Sequence, residues 1–306
     1  MSRQIEVQTR TTTADSIYDS FWGNLEQQNV KEAALDGSQF IRTKVRQESI
    51  AREIFDGSVK LEADDLDRSA RTDQPRRIEE IEPDSIATYV PFNGTARRRW
   101  FKGERFEIYF GKIESQRNIK SKFKLMTYRS DIRKMLTDNA IFDMADVEDQ
   151  LFFDEVDTLL SLPQAAGQSL NLAGGLTQAN CVTALQNLVQ RKYPIGKIVM
   201  SKSLHLEALK LPATSIGDEV AKRHYDRGLR DEDHLWGYPV ITTIKNDIIP
   251  DNVFYVFTSQ EYLGYHYHLQ DATLYIKEEA DVYEFWTYEA VGMGIAGHRG
   301  LVKVTL

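Results

Sequence analysis

The sequence has very little cysteine: Cys181 is the one thiol among 306 residues. A single cysteine cannot form an internal disulfide or supply a cysteine metal cluster, so we expect a protein of a reducing compartment. Its apolar, helical surroundings predict a small core residue. Proline (8 residues) and glycine (18 residues) are also scarce, which excludes collagen-like and low-complexity classes. The 42% of hydrophobic residues is enough for a sizeable core.

Long apolar runs are missing as well. The first ten residues already contain three charged side chains, so we expect no signal peptide there. The stretch from Thr158 to Gln190 carries no charge at all, but Pro163 and several polar residues interrupt it. It never reaches the ~18 to 20 consecutive apolar residues that a transmembrane helix needs. The sequence therefore predicts no membrane segment.

Charge is unevenly distributed along the chain, which has a net charge of −8. Thirteen basic and four acidic residues give residues 97–134 a net charge of +9, which leaves −17 for the rest. Aromatic side chains in this basic segment could stack on single-stranded nucleic acid, but the remaining −17 would repel a polyanion. We therefore interpret the segment as an arm that binds acidic surface on another copy of the same protein.

Periodicity predicts the main elements. Alternating apolar and polar residues on either side of residues 115–118 predict a long β-hairpin within the basic segment. From Ser130 to Leu160, apolar residues recur at helical spacing and predict a helix about 45 Å long, at 1.5 Å per residue. Its many carboxylates predict a solvated acidic face. Mixed strands and helices follow from Pro194 onward.

A shorter amphipathic helix is predicted near the N-terminus, where apolar residues recur three and four apart after Thr13. Phe21 and Trp22 lie on its apolar face. This face packs either on the helix's own domain or on a neighbouring subunit, and both alternatives stay open. Residues 57–91 are rich in carboxylates without the spacing of a calcium loop, which predicts a second solvated acidic surface.

No pattern indicates catalysis, a metal or a cofactor. Residues 292–297 match G-x-G-x-x-G, but too few residues follow for the helix and acidic residue of a dinucleotide site. We expect these glycines to mark a bulge or close backbone packing in a strand. His266 and His268 share one face of a predicted strand and could be two metal ligands. No third ligand is near in sequence, so a surface stripe with Tyr265 and Tyr267 is favoured.

The order of elements resembles that of the major capsid proteins of tailed bacteriophages, which have the Hong Kong 97-type fold. The most specific motif is Trp-Thr-Tyr-Glu-Ala-Val-Gly-Met-Gly-Ile at residues 286–295, followed by His-Arg-Gly-Leu at residues 298–301. Three supporting motifs precede it in the family's order: Gly-Tyr-Pro-Val at residues 237–240 and the runs at residues 254–257 and 261–264.

The resemblance implies an α+β fold with an N-terminal arm, an extended β-hairpin loop, a peripheral domain with a long spine helix, and an α/β axial domain. The implied boundaries are residues 1–60 for the helical arm, 61–96, 127–193 and 285–306 for the peripheral domain with its spine helix at 130–160, 97–126 for the extended loop, and 194–284 for the axial domain.

The implied function is structural, not enzymatic: hexamers and pentamers of the chain would form an icosahedral shell around the double-stranded DNA of a tailed phage. Implied partners are further copies, a separate scaffolding protein, a portal, decoration proteins and packaged DNA contacted non-specifically, with no membrane. The location would be the virion capsid, with assembly in the host cytoplasm. An encapsulin-type nanocompartment shell stays open as an alternative, as does a small-oligomer intracellular enzyme that uses His266 and His268.

Candidate interface residues come from the basic segment and the N-terminal helix. Arginine suits such a contact because its planar guanidinium binds a carboxylate through two parallel hydrogen bonds. The candidates are Arg97, Arg98, Arg99, Trp100, Phe101, Lys102, Arg105, Phe21 and Trp22.

Overall fold

The computed structural model describes residues 24, 31–38, 41, 49–67, 74–81, 89–95, 98, 104–127, 131–207, 234–235 and 237–306. The predicted N-terminal helix with Phe21 and Trp22 lies outside them. The chain divides into two compact units. The first comprises Met1–Ser49, Lys112–Val147 and Gln270–Ala290, and the second comprises Ile50–Gly111, Glu148–Leu269 and Val291–Leu306.

The described residues contain both strands and helices. The labelled strands are β1 (Val59–Lys60), β2 (Arg76–Ile81), β3 (Glu104–Tyr109), β4 (Gly111–Glu114), β5 (Asn118–Ser121), β6 (Ser169–Asn171), β7 (Ile195–Ser201), β8 (His234–Leu235), β9 (Tyr238–Thr243), β10 (Val253–Thr258), β11 (Gly264–Glu279), β12 (Val282–Ile295) and β13 (Leu301–Thr305). The labelled helices are α1 (Ile50–Ile54), α2 (Lys122–Thr127), α3 (Asp131–Leu160), α4 (Gln178–Gln190), α5 (Lys202–Glu207) and α6 (Gln260–Leu263). Residues 31–38 are also helical.

The long spine helix is confirmed: α3 has 30 residues and ends just before Pro163, as the periodicity predicts. Thr177 caps the start of α4: the backbone N–H of Asn180 donates to Thr177 Oγ1 at 3.2 Å. None of the described helices is both long and apolar enough to cross a membrane.

The core of the second unit lies on both faces of a six-stranded sheet with strand order β6-β13-β10-β7-β9-β8. Alternate residues of β10 face opposite sides because side chains alternate along a strand. Phe257 packs with Phe55 and Phe152, which follow α1 and lie in α3, respectively. Phe254 packs on the other side with Leu188 of α4. The sheet is therefore sandwiched between helices.

The predicted hairpin pairing within residues 97–126 is wrong. β3 pairs antiparallel with β2, in register from Arg76↔Tyr109 to Ile81↔Glu104. β4 and β5 instead both lie along β12, and residues 115–117 interrupt this edge without turning the chain back. Alternation indicates that a segment is a strand, but it does not identify the partner strand. The proposed domain boundaries stay predictions.

In the first unit, β11 and β12 form a sheet with one buried face. Leu274 and Phe285 are buried on this face. The backbone N–H of Leu274 donates to Ser38 Oγ at 2.9 Å, which ties the helical residues 31–38 to the sheet. The backbone N–H of Thr287 donates to Ser115 Oγ at 2.9 Å. The sheet edge and the N-terminal helical segment are therefore held by hydrogen bonds that link distant parts of the chain.

Candidate subunit interface

The antiparallel pair β2–β3, which we call the ribbon, packs on the rest of the second unit through one apolar face. Ile108 of β3 is fully buried and packs with Phe110, Leu61 and Tyr267. Burying side chains of this size contributes about 1.5–3 kcal/mol each. The Tyr267 hydroxyl also donates to Glu79 of β2 at 2.8 Å. These contacts hold the apolar face of the ribbon against the rest of the second unit.

The opposite face of the ribbon is charged and exposed. Arg105, one of the candidate interface residues, pairs with Glu80 across the two strands at 3.1 Å. Arg76 pairs with Glu107 at 2.9 Å. Exposed pairs of this kind contribute about 0.2–1 kcal/mol each. Arg105 thus has a partner within its own ribbon. It is therefore a weaker candidate for binding a neighbouring subunit than the sequence alone indicates.

The connection between β2 and β3 carries the basic triplet and exposed aromatic rings. Tyr89 is 96% exposed, Phe92 is fully exposed, and Arg98 is exposed. The backbone N–H of Gly94 donates to the Pro91 carbonyl at 2.8 Å and closes a turn beside the two rings. The other candidates of this segment lie outside the described residues: Arg97, Arg99, Trp100, Phe101 and Lys102. Aromatic and arginine side chains are enriched in protein interfaces, so exposed ones in the same segment are typical of a protein-binding surface.

The glycines of β12 allow the ribbon to approach the strand closely. A Cβ atom at Gly294 would lie 2.4 Å from Ile108 Cγ1, and one at Gly292 would lie 2.7 Å from the Phe110 ring. Gly264 has φ +143°, and a Cβ there would lie 2.1 Å from the Gly294 carbonyl oxygen. The close backbone packing expected of these glycines is confirmed, and they lie in or after a strand instead of opening a nucleotide-binding helix.

A buried charge cluster occupies the core of the second unit. Both carboxylate oxygens of Glu148 accept from Arg52 Nε, at 2.8 and 3.0 Å, and Oε1 lies 2.5 Å from His266 Nε2. Burial alone would raise the pKa of Glu148, but the hydrogen bond with His266 and the Arg52 charge lower it from 4.5 to about 2. The carboxylate therefore stays ionised.

Asp149, the next residue of α3, is also buried. It accepts from Lys245 Nζ at 2.6 Å and from the backbone N–H of Ala51 at 2.9 Å. Burial raises its pKa from 3.8 to about 6, although both hydrogen bonds oppose the shift. The prediction of a solvated acidic face is therefore wrong for these two carboxylates. Asp143 and Asp154 of the same helix are exposed.

The predicted surface stripe of histidine and tyrosine is wrong. His266 and His268 are 2% and 4% exposed, and Tyr267 is buried as well. Ser58 Oγ lies 2.8 Å from His268 Nδ1, and Tyr265 stacks on Tyr267. Among the residues that the structure describes, no group of three or more His, Cys, Asp or Glu is placed to hold a metal. Both histidines are instead buried side chains of the core, each within hydrogen-bond distance of a partner.

Cys181 lies where its apolar surroundings predict. It is 3% exposed and lies on the inner side of α4, where it packs with the buried side chains of the sheet. Burial raises the pKa of its thiol to about 12, so the thiolate needed for reactivity is scarce at neutral pH. The residue is a structural one.

No family model and no curated protein sequence matches this chain. Solved structures do match it. A virus-like particle protein from Pyrococcus furiosus is 13% identical, with 86% of this chain and 95% of that chain covered and a TM-score of 0.53. The capsid of a native GTA particle is 12% identical, covering 85% and 90%, with a TM-score of 0.58. The mature capsid of bacteriophage PhiM1 is 10% identical, covering 84% and 87%, with a TM-score of 0.54.

These similarities extend over most of each chain and include both units, although sequence identity is low. A common fold at such identity is carried by packing and topology, which many sequences satisfy. The chain has the Hong Kong 97-type capsid fold.

Proposed function

We propose that this chain is the major capsid protein of a tailed phage, and that its hexamers and pentamers form an icosahedral shell around double-stranded DNA. The observation that carries the proposal is the fold, which is similar to capsid structures over 84–85% of this chain. The chain would lie in the virion capsid and assemble in the host cytoplasm. Scaffolding, portal and decoration proteins would be its further partners.

The exposed connection of the ribbon would bind a neighbouring copy. Its aromatic rings, Tyr89 and Phe92, are exposed, and so is Arg98 of the same connection. Exposed carboxylates such as Asp143 and Asp154 lie on α3. A segment of charge +9 in a chain whose remainder carries −17 favours contacts between unlike parts of two copies. Each such contact is weak, but it recurs in every subunit of a closed shell.

The enzyme alternative loses its candidate residues. It required accessible side chains of His266 and His268, and both are buried and hydrogen-bonded within the core. A catalytic group must reach its substrate, which a buried imidazole facing Glu148 cannot do without opening the unit. A structural role is therefore the better supported of the two.

An encapsulin-type shell is the second candidate, because encapsulins share the Hong Kong 97-type fold that carries the proposal. The two candidates differ in content. A phage capsid packages DNA, whereas a nanocompartment encloses protein. Purified particles treated with nuclease and then opened would release protected DNA in the first case and protein alone in the second.

Size-exclusion chromatography followed by negative-stain microscopy tests the proposal. We expect the purified chain to form pentameric or hexameric rings or closed particles, in proportions that rise with concentration. A small oligomer of fixed size across a hundredfold range of concentration would contradict a shell protein. The same material should show constant circular dichroism, so that aggregation of unfolded protein is recognised.

A further inference from the structure

Asn93 and Gly94 form the one Asn-Gly pair in the sequence. Both residues are exposed, and they lie in the connection between β2 and β3, outside any strand or helix. They end a four-residue turn that begins at Pro91, because the backbone N–H of Gly94 donates to the Pro91 carbonyl at 2.8 Å. The side-chain amide of Asn93 and the backbone nitrogen that follows it therefore lie on an exposed turn.

A second turn of the same kind provides a comparison within the chain. Asn252 also lies two positions after a proline, and the backbone N–H of Val253 donates to the Pro250 carbonyl at 3.0 Å. Asn252 is exposed as well. The two turns differ in the residue after the asparagine: Gly94 has no side chain, whereas Val253 is a buried, β-branched residue that begins β10.

This difference bears on a reaction between the asparagine side chain and the main chain. When the backbone nitrogen after an asparagine loses its proton, its lone pair can attack the side-chain carbonyl carbon Cγ and close a five-membered ring. Proximity makes such an intramolecular attack efficient where the chain can adopt the required geometry. A β-branched side chain on the following residue hinders this approach, whereas glycine leaves the nitrogen open and the backbone free to rotate.

We propose that Asn93 is a site of spontaneous deamidation. The Gly94 nitrogen forms a bond to Asn93 Cγ, the bond between Cγ and Nδ2 breaks, and Nδ2 leaves as ammonia with the proton that Gly94 loses. One water molecule then opens the ring at either carbonyl, which yields aspartate or isoaspartate. In sum, one water is consumed and one ammonia is released, and the reaction needs no oxidant or reductant.

The product matters because of its position. Deamidation adds a negative charge to the connection that carries the exposed side chains of Tyr89, Phe92 and Arg98. Under the proposed function, on which this consequence rests, the connection binds acidic surface on a neighbouring copy, and a carboxylate there repels that surface. Unassembled subunits should therefore lose their ability to assemble as they age. Assembled subunits should react more slowly at Asn93, because the contact restricts the turn.

Peptide mapping of aged, unassembled protein by mass spectrometry tests the reaction. We expect aspartate and isoaspartate to accumulate at Asn93, faster in alkaline than in neutral buffer, while Asn252 stays intact. The hydrogen bond to Pro91 must open first, so the rate should lie within about tenfold of that in a synthetic peptide of residues 89–95, the factor that one such bond represents. An Asn93 that stays intact while the peptide reacts, or equal reaction at Asn252, would overturn the inference.

Variants at Asn93 test the consequence for assembly. Asn93→Gln keeps an exposed amide but requires a six-membered ring, so it should not deamidate and should assemble equally well before and after ageing. It is a cleaner control than Gly94→Ala, whose Cβ would lie 2.6 Å from Val90 Cγ1 and disturb the turn. Asn93→Asp carries the charge from the start and should lower the assembled fraction as ageing does, with an unchanged melting temperature.

The outcomes separate this inference from the proposed function. If Asn93→Asp and the aged wild type assembled as fresh protein does, the effect on assembly would be refuted even if deamidation were found. A fresh wild type that never assembles would contradict the proposed function, and deamidation at Asn93 would still be measured by peptide mapping.

Discussion

Glu148 and His266 are 118 positions apart in sequence, yet Glu148 Oε1 and His266 Nε2 lie 2.5 Å apart inside the second unit. Both side chains are almost completely buried, and Arg52 completes the contact from α1. The cluster thus links three separate segments: α1, the spine helix α3 and β11. Such a buried cluster is costly to break, because the loss of one partner leaves an opposite charge in the core that is no longer compensated.

We expect Glu148→Gln to lower the free energy of unfolding by about 3–5 kcal/mol, because it removes the negative charge that both the buried Arg52 guanidinium and His266 face. The matched control is Glu80→Gln, which removes a carboxylate from the exposed pair with Arg105. That change should cost at most about 1 kcal/mol. Urea denaturation of both variants measures the difference. Similar losses for the two would show that burial of the first pair does not matter.

Asp149 should make stability fall as the pH rises. Its pKa is about 6 in the folded protein, against 3.8 ordinarily, because it is buried. The contribution of a group with a raised pKa is fully present below pH 3.8 and is lost as the pH rises through 6. The shift corresponds to roughly 3 kcal/mol, at about 1.36 kcal/mol per pKa unit.

The variant Asp149→Asn isolates this effect. The free energy of unfolding of the wild type, minus that of the variant, should decrease between about pH 4 and pH 7, since every other titrating group is shared. Glu148 contributes with the opposite sign: its lowered pKa adds stability above pH 4.5 that is lost as the pH falls toward 2. A difference curve that is flat across this pH range would refute the assignment to Asp149.

Local patterns allowed much of the fold to be predicted. The spine helix α3 and the strand Val253–Thr258 have strong periodicity or apolar content within their own segments. β2 was missed because its sequence, Arg-Arg-Ile-Glu-Glu-Ile, has few apolar residues. Its partner begins at Glu104, and such long-range pairing leaves no mark within either segment.

The burial of Glu148 and Asp149 was not predictable for a similar reason. Acidic residues on a long helix are usually solvated. Helical spacing does place Glu148 and Asp149 on the same face of α3 as Phe152, away from Asp143 and Asp154, but this position does not identify a partner. Their partners, Arg52 and Lys245, are each 96 positions away in sequence. Only the tertiary structure brings these cations to the helix, so the burial of the two carboxylates becomes evident only from the fold.

Gly264 should be essential to the close packing of β11 and β12. Gly264→Ala places a Cβ 2.1 Å from the Gly294 carbonyl oxygen and forces φ +143° on a residue that disfavours it. We expect a loss of about 3 kcal/mol or more in the free energy of unfolding. Gly111→Ala is the control, because no atom lies within 4 Å of its added Cβ. It should be neutral or slightly stabilising. Equal effects of the two alanines on the melting temperature would contradict this account.

Charge reversal of the arginine triplet should block assembly without affecting the monomer. If Arg97, Arg98 and Arg99 bind acidic surface on a neighbour, replacing all three with Glu turns three attractions into repulsions. The control replaces the exposed residues Lys60, Lys192 and Arg299 with Glu, which changes the net charge equally at other places. Light scattering should show slow or absent assembly for the first variant and near-normal assembly for the second.

High salt should also slow early assembly of the wild type, because screening shortens the range of these contacts. Normal assembly of the first variant at low salt would show that the triplet does not bind a neighbouring subunit, and its affinity for DNA would then be the quantity to measure.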